Sequence, residues 1–149
     1  MLLGNLLKSV NNKYKKIPVK GMTSDSRKIK KKHIFFAIKG NKTSGVKFIK
    51  EAILKGASAI VISNKSNLKK NRIPFVKVKN VRKAFSEACS NFYIKKPKNI
   101  IAVTGTNGKS SVADFFYQIL SSNKIPVASI GTLGIKSKKY KKKTNLTSM

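Results

Sequence analysis

One segment limits the folds open to this chain more than any other: a glycine-containing turn between an apolar run and an amphipathic stretch. The apolar run covers residues 100–103, and the turn at 104–111 has the sequence TGTNGKSS. The stretch after it places apolar side chains at helical spacing, at positions 112, 115, 116, 119 and 120. A buried strand, a tight turn and a helix in this order predict an α/β unit.

The turn contains the residue types that hold a phosphate group. Gly105 and Gly108 let the backbone turn closely, so that N–H groups point inward. Lys109 is expected to meet the β- and γ-phosphates, and the Ser110 hydroxyl is expected to ligate Mg²⁺. The strict pattern GxxxxGK[ST] is not met, because Val103 stands where its first glycine belongs. The shorter GxxGKS favours an ATP site, and the alternative is a glycine-rich turn with an incidental lysine.

Short apolar runs alternate with helical periodicity along the rest of the chain. Predicted strands cover residues 34–38, 59–62, 75–78 and 127–130, and predicted helices cover 45–56 and 80–94. This alternation favours parallel pairing, and the sequence KKPK at 95–98 interrupts it. We therefore predict an α/β fold in two domains, 1–96 and 97–149. The first is a small α/β domain, and the second is the start of a P-loop-type parallel-sheet domain.

The formal charge of +30 on 149 residues suggests nucleic-acid binding at first sight. Lysine supplies most of it and is spread along the whole chain beside frequent Asn and Ile, a pattern typical of an AT-rich genome. We favour that interpretation and predict no nucleic-acid partner. No apolar run is long enough to span a bilayer, no signal peptide is recognisable, and the single Cys89 fits a reducing compartment. We expect a cytoplasmic protein without membrane insertion.

Several short segments along the chain together resemble segments of one known protein family. TGTNGKSS is similar to the ATP loop of Mur ligases and folylpolyglutamate synthetases. TSDSR at 23–27, IFFAIKG at 34–40 and GASAIV at 56–61 resemble the N-terminal domain shared by MurE-type and MurF-type ligases. SIGTLG at 129–134 and NLTS at 145–148 are similar to the MurE type specifically. These motifs span nearly the whole chain and occur in the order found in the family.

The resemblance implies an ATP-dependent ligase of peptidoglycan precursor synthesis that uses ATP and Mg²⁺. Such an enzyme adds a diamino acid, meso-diaminopimelate or L-lysine, to UDP-N-acetylmuramoyl-L-alanyl-D-glutamate through an acyl phosphate. Residues 1–96 would form the UDP-substrate-binding domain, and 97–149 the truncated start of the central ATP-binding domain. We expect a monomer, and we expect these residues alone to lack a complete active site.

Candidate site residues follow from the resemblance by position. The ATP loop is assigned to Gly105, Thr106, Asn107, Gly108, Lys109, Ser110 and Ser111. Within it, Lys109 is the catalytic candidate and Ser110 the Mg²⁺ ligand. Contacts with the UDP-muramoyl-peptide are assigned to Ser24, Ser26, Asn41, Lys42, Thr43, Thr147 and Ser148. The alternative for the two serines is a capped turn, and for Asp25 and Arg27 it is a local surface ion pair.

The sequence is also compatible with two other functions. A MurF-type ligase, which adds D-alanyl-D-alanine, shares the N-terminal domain but usually differs in the ATP loop and lacks the GTLG segment. A basic nucleotide- or nucleic-acid-binding module without ligase activity predicts a cationic face interleaved with aromatic residues. The eight Phe residues instead fall mostly at strand and helix-face positions. The choice between the two diamino acids also stays open.

Overall fold

The chain divides into two compact units, Met1–Lys96 and Pro97–Met149, each with its own sheet. The structure is a computed structural model that describes residues 1–40, 43–68 and 72–143. None of the helices in those ranges has the length and apolarity that a bilayer span requires.

The first unit is built on four parallel strands in the order β1-β2-β3-β4. They are β1 (Gly21–Thr23), β2 (His33–Phe36), β3 (Ala59–Ser63) and β4 (Phe75–Val78). The two central strands β2 and β3 are buried almost throughout, which explains their continuously apolar sequences. The predicted parallel α/β arrangement is confirmed. Because the strands are parallel, their carboxyl ends share one edge of the sheet.

Helices cover both faces of this sheet. They are α1 (Leu3–Leu6), α2 (Ile49–Leu54) and α3 (Val81–Phe92), and 3-10 turns lie at Asn12–Tyr14, Ser26–Lys28 and Gly45–Phe48. Helices α1 and α3 pack on one face and α2 on the other. Side chains alternate along a strand, so Ile34 and Phe36 join the first core layer while Phe35 joins the second.

The second unit has one long helix and an antiparallel sheet. Its elements are α4 (Lys109–Ser122), β5 (Ala128–Gly131), β6 (Gly134–Ser137) and β7 (Lys141–Lys142). Only Thr132 and Leu133 join β5 to β6, and so short a connection permits antiparallel pairing alone. The helix begins at Lys109, directly after the predicted phosphate loop. It has no buried residue.

The strand predicted over residues 100–103 is wrong, because the structure forms no strand there. Ile100 and Ile101 are 77% and 63% exposed. An apolar run becomes a strand only when a neighbouring backbone takes up its N–H and C=O groups, and the described part of the chain provides no such neighbour. The parallel pairing predicted for this domain is also not formed in the described residues, where β5, β6 and β7 pair antiparallel.

Candidate functional site

The phosphate loop is the turn that leads into α4. Gly108 precedes the first helical residue with a φ of 74°, and Gly105 has a φ of 146°. Both angles lie in the region that glycine adopts most readily. A Cβ at Gly108 would meet nothing within 4 Å, so the backbone angle and not a lack of space favours glycine there. The loop therefore opens onto the N-terminus of a 14-residue helix, which favours an anion.

The first two residues of α4 have defined partners. Nζ of Lys109 folds back on the loop and donates hydrogen bonds to the carbonyl oxygens of Gly105 and Thr106, the second at 3.0 Å. Oγ of Ser110 lies 2.6 Å from Oγ1 of Thr132, in the turn between β5 and β6. The ammonium group is thus already held over the loop, where phosphate oxygens can replace the carbonyl oxygens as its acceptors.

One turn further along α4, Asp114 forms an ion pair with Lys136 and also accepts a hydrogen bond from Gln118 at 2.8 Å. The hydrogen bond from Lys136 and then that from Gln118 lower the pKa of Asp114, so this carboxylate is ionised at neutral pH. The depression between Asp114, Ser110 and Thr132 has a volume of about 20 Å³. That volume holds about one water molecule, so a nucleotide would bind on the open surface of the loop.

The donor set near the loop fits Mg²⁺ only in a limited role. Within the described residues, no group of three or more His, Cys, Asp or Glu side chains could hold a metal ion. In phosphate sites, however, Mg²⁺ keeps several waters and takes other ligands from the phosphates and one or two protein oxygens. Ser110 Oγ, with Thr132 Oγ1 beside it, fits that role. The Asp114 carboxylate is already paired with Lys136.

In the first unit, the segment after β1 is a capped turn. The Asp25 side chain accepts a hydrogen bond from the Arg27 backbone N–H at 3.0 Å and two from its guanidinium at 2.9 Å. The side-chain hydrogen bond from Arg27 lowers the pKa of Asp25. The local ion pair that was the alternative for these two residues is therefore present. Ser24 is exposed, whereas Ser26 is buried.

Ser26 is held against helix α2. Its carbonyl oxygen accepts a hydrogen bond from Nζ of Lys55 at 3.2 Å, and Lys55 also pairs with Glu51 at 2.6 Å. The hydrogen bond from Lys55, followed by that from the Ser26 side chain, lowers the pKa of Glu51. These contacts give Ser26 a packing role, so of the two serines Ser24 is the one open to a ligand.

A cleft of about 460 Å³ lies at the carboxyl edge of the first sheet, and we call it the carboxyl-edge cleft. Open parallel sheets commonly bind ligands at this edge. Its lining includes four cationic residues, Lys39, Lys65, Lys79 and Arg82. The three lysines follow the last residues of β2, β3 and β4, which are Phe36, Ser63 and Val78. Sequence reasoning missed this set, because 34 Lys and Arg residues hide any such regularity.

The residues assigned to the UDP-substrate have different places in the structure. Ser24 and Thr43 follow β1 and β2 at the same edge, and Ser44, next to Thr43, lines the cleft. Gly45 fixes this loop, since a Cβ there would lie 2.8 Å from backbone atoms of the strand end. Four of the assigned residues lie outside the described ranges: Asn41, Lys42, Thr147 and Ser148.

Comparison with known proteins finds two matching family models. The model described as "Mur ligase family, catalytic domain" matches residues 18–93, and "Mur ligase middle domain" matches residues 103–149. A UDP-N-acetylmuramoyl-L-alanyl-D-glutamate–2,6-diaminopimelate ligase of Rickettsia montanensis is 49% identical over 117 residues, which are 78% of this chain and 24% of the relative. The ligase of the same name from Rickettsia prowazekii (strain Madrid E) is 42% identical over 127 residues, 85% of this chain and 26% of the relative. The chain thus spans about a quarter of the length of these relatives.

Solved structures give a consistent result for the fold. A structure of a UDP-N-acetylmuramoyl-L-alanyl-D-glutamate–2,6-diaminopimelate ligase has a TM-score of 0.73 and 23% identity, covering 95% of this chain and 29% of that one. A MurF ligase from Thermotoga maritima in complex with ADP has a TM-score of 0.54 and 24% identity, covering 68% of this chain and 23% of that one. At these identities the likeness concerns the fold, and it supports the α/β architecture.

Proposed function

The chain belongs to the Mur ligase family, and from this premise we propose that it supplies the substrate- and ATP-binding parts of a MurE-type ligase of peptidoglycan precursor synthesis. The family resemblance drawn from the sequence is confirmed by the two matching models. The relatives' names support 2,6-diaminopimelate, and not L-lysine, as the amino acid that is added. The first unit would bind the UDP-linked substrate and the second would bind ATP, in the cytoplasm and as a monomer.

In the proposed reaction, the side-chain carboxylate of UDP-N-acetylmuramoyl-L-alanyl-D-glutamate takes the γ-phosphoryl group of ATP, and ADP leaves. The amine of the diamino acid then attacks the acyl phosphate, a C–N bond forms, and inorganic phosphate leaves. The first step is needed because a carboxylate is a poor electrophile, and cationic groups must offset the charge that builds up around the transferred phosphoryl group. Mg²⁺, when bound, supplies part of that charge.

The observation that carries this proposal is the phosphate loop at the N-terminus of α4. Its two glycines have positive φ, and the Lys109 ammonium is held over its carbonyl oxygens. We propose that Lys109 contacts the β- and γ-phosphates, and that the Ser110 hydroxyl ligates Mg²⁺. Further ATP contacts are proposed for Gly105, Thr106, Asn107, Gly108 and Ser111.

The proposed substrate contacts in the first unit rest on position at the sheet edge. Ser24 is exposed after β1 and suits the uridine part, whereas Ser26 supports that turn from its packed position against α2. Thr43 lies beside the cleft-lining Ser44. The resemblance adds, by position only, Asn41, Lys42, Thr147 and Ser148.

The first test is binding of Mg·ATP to the purified chain by titration calorimetry. Lys109→Ala removes the ammonium over the loop and is expected to weaken ATP binding by at least about tenfold, the effect of one charge-assisted contact. Lys138→Ala removes an exposed lysine of the same unit away from the loop and is expected to change the affinity less than about twofold. Equal ATP affinities for the two variants would contradict the loop assignment.

A second measurement separates the MurE-type from the MurF-type function. The former acts on the UDP-linked muramoyl dipeptide and the latter on the tripeptide, so both are titrated into the same chain. We expect the dipeptide substrate to bind at least as tightly as the tripeptide. Clearly tighter binding of the tripeptide would favour the MurF type.

A further inference from the structure

The segment GTLG at residues 131–134 forms a tight turn with a fixed place in the second unit. Gly131 and Gly134 are the last paired residues of β5 and β6, so the two residues between them make up the whole turn. Gly134 is buried with a φ of 105°, and a Cβ there would collide with the carbonyl oxygen of Lys142 in β7. The turn is therefore held by its own backbone angles and by close contact with β7.

Thr132, in this turn, contacts the first turn of helix α4. Its Oγ1 lies 2.6 Å from Oγ of Ser110, 22 positions away in the sequence, and both residues are partly buried. That separation is typical of a short O–H···O hydrogen bond. Each hydroxyl has one proton and two lone pairs, so either residue can be the donor. The contact thus joins the start of the phosphate-loop helix to the β5–β6 turn.

Metal ligation would decide which of the two hydroxyls donates. An oxygen that binds Mg²⁺ does so through a lone pair, so its own proton must point away from the cation. For Ser110, the Oγ1 atom of Thr132 stands at the distance where it can accept that proton. Without this acceptor the serine hydroxyl is free to rotate, and the orientations that turn its proton toward the cation oppose ligation.

A second contact holds the same hairpin against α4. Asp114 lies one helical turn after Ser110 and pairs with Lys136 of β6, which lies four residues after Thr132. The two contacts thus have the same spacing on the helix and on the hairpin, which fixes the position of Thr132 along α4. The Asp114 carboxylate accepts hydrogen bonds from Lys136 and Gln118. Among the described side chains, Thr132 is therefore the acceptor placed for the Ser110 proton.

We propose that Thr132 is a positioning residue for Ser110: its hydroxyl accepts the serine proton and thereby directs a serine lone pair toward the Mg²⁺ of Mg·ATP. The inference rests on the proposed function, in which Ser110 ligates Mg²⁺. It goes beyond that function because the resemblance gives Thr132 a place in a motif but no contact. Two neighbouring ligands of an octahedral Mg²⁺ lie about 2.9 Å apart, so the 2.6 Å between the hydroxyl oxygens favours a hydrogen bond over joint ligation.

The test measures how much Mg²⁺ strengthens the binding of ATP to the full chain. ATP is titrated by calorimetry with excess EDTA and again with saturating Mg²⁺, and the ratio of the two affinities is the Mg²⁺ enhancement. Thr132→Val removes the hydroxyl at nearly constant volume and should lower the enhancement about fivefold, the effect of one hydrogen bond. Thr132→Ser keeps the hydroxyl and should stay within about twofold. The same is expected of Ser121→Ala, which removes an exposed hydroxyl at the other end of α4.

Two comparisons separate positioning from other roles of Thr132. If the residue only packs the hairpin on α4, Thr132→Val weakens ATP binding equally with Mg²⁺ and with EDTA, and the unchanged enhancement overturns the inference. We expect instead that its ATP affinity in EDTA stays within about twofold of that of the unaltered chain. If Thr132 acts through Ser110, adding Thr132→Val to Ser110→Ala lowers the enhancement no further. A further loss would mean that Thr132 binds the metal itself, which would also overturn the inference.

Failure of this inference differs from failure of the phosphate-loop assignment. An enhancement that is lost in Ser110→Ala but kept in Thr132→Val overturns the role of Thr132 and leaves the loop assignment intact. If Mg²⁺ does not strengthen ATP binding to the unaltered chain, the role of Ser110 fails and that of Thr132 fails with it. Urea unfolding checks that each variant folds. Thr132→Ala takes the place of Thr132→Val if the latter does not fold, with the same expected loss.

Discussion

Helices α3 and α4 have the same apolar periodicity but opposite surroundings. Helix α3 buries Val81, Ala84 and Ala88 against the parallel sheet, whereas α4 has no buried residue. Along α4, Phe115 and Ile119 are each 62% exposed. Periodicity therefore predicts a helix and its apolar face, whereas the burial of that face depends on how much of the chain packs against it.

The same contrast extends to the two units as a whole. The first has core layers on both faces of its sheet, with Phe35, Phe36 and Ile60 fully buried. All of the residues in its two core clusters precede residue 97, and the described part of the second unit contributes to neither. Since hydrophobic burial is the main stabilising contribution to folding, we expect the first unit to unfold with the larger free energy.

The largest expected effect comes from removing a core ring. Phe36→Ala should lower the free energy of unfolding of the first unit by about 3–5 kcal/mol, because its ring is fully buried and lies 4.9 Å from that of Phe85. Phe115→Ala, on exposed α4, should change stability by less than about 0.5 kcal/mol. Urea unfolding with residue-resolved amide exchange measures both. Similar losses of unfolding free energy for the two substitutions would show that the apolar face of α4 is packed against other residues.

A pair of glycines tests the same contrast at the backbone. A Cβ at Gly45 would lie 2.8 Å from backbone atoms of Ala37 and Ile38, so Gly45→Ala should cost about 1–3 kcal/mol. A Cβ at Gly131 would meet nothing within 4 Å, and Gly131→Ala should stay within about 0.5 kcal/mol. Thermal unfolding measures the stability of both variants. Equal melting temperatures for Gly45→Ala and Gly131→Ala would contradict the close approach of backbone atoms at Gly45.

The smallest expected effect is a pH dependence confined to the first unit. The Nδ1 atom of His33 is buried without a hydrogen-bond partner among the described residues. Desolvation, and then the charge of Lys30, lower the pKa of His33 below its ordinary 6.5. As the pH falls, His33 in the unfolded chain therefore takes up its proton at a higher pH than His33 in the folded chain does. Stability is complete above about pH 6.5 and falls as the pH drops from there through the lowered folded pKa.

The chain has one histidine, so unfolding of the second unit should not change over that pH window. There the nearest titration is that of Asp114, whose pKa is lowered by Lys136 from 3.8, so its contribution is lost only at more acidic pH. Urea midpoints between pH 7.5 and about pH 5 measure the difference. A His33→Gln variant that keeps the full pH dependence would show that another group is responsible.

The sequence by itself determined the alternation of β2, β3 and β4 with α2 and α3, and the start of α4 at the phosphate loop, whereas β1 was not predicted. Local signals suffice there: β2 and β3 are continuously apolar because both of their faces are covered, and Gly108 has a positive φ, which glycine adopts most readily. The resemblance to the Mur ligases could also be recognised from the sequence, because its motifs are short segments in a fixed order and their chemistry depends on local spacing.

Other features were decided only by the tertiary structure. The apolar run at 100–103 has the composition of a strand but no neighbouring backbone to pair with in the described residues. Ser24 and Ser26 look equivalent in the sequence, yet only Ser26 packs against α2. The sequence does not distinguish Lys39, Lys65 and Lys79 from the chain's other lysines. They share a site only because parallel pairing brings the strand ends to one edge of the sheet. Each outcome depends on contacts between residues far apart in the chain, which no local pattern encodes.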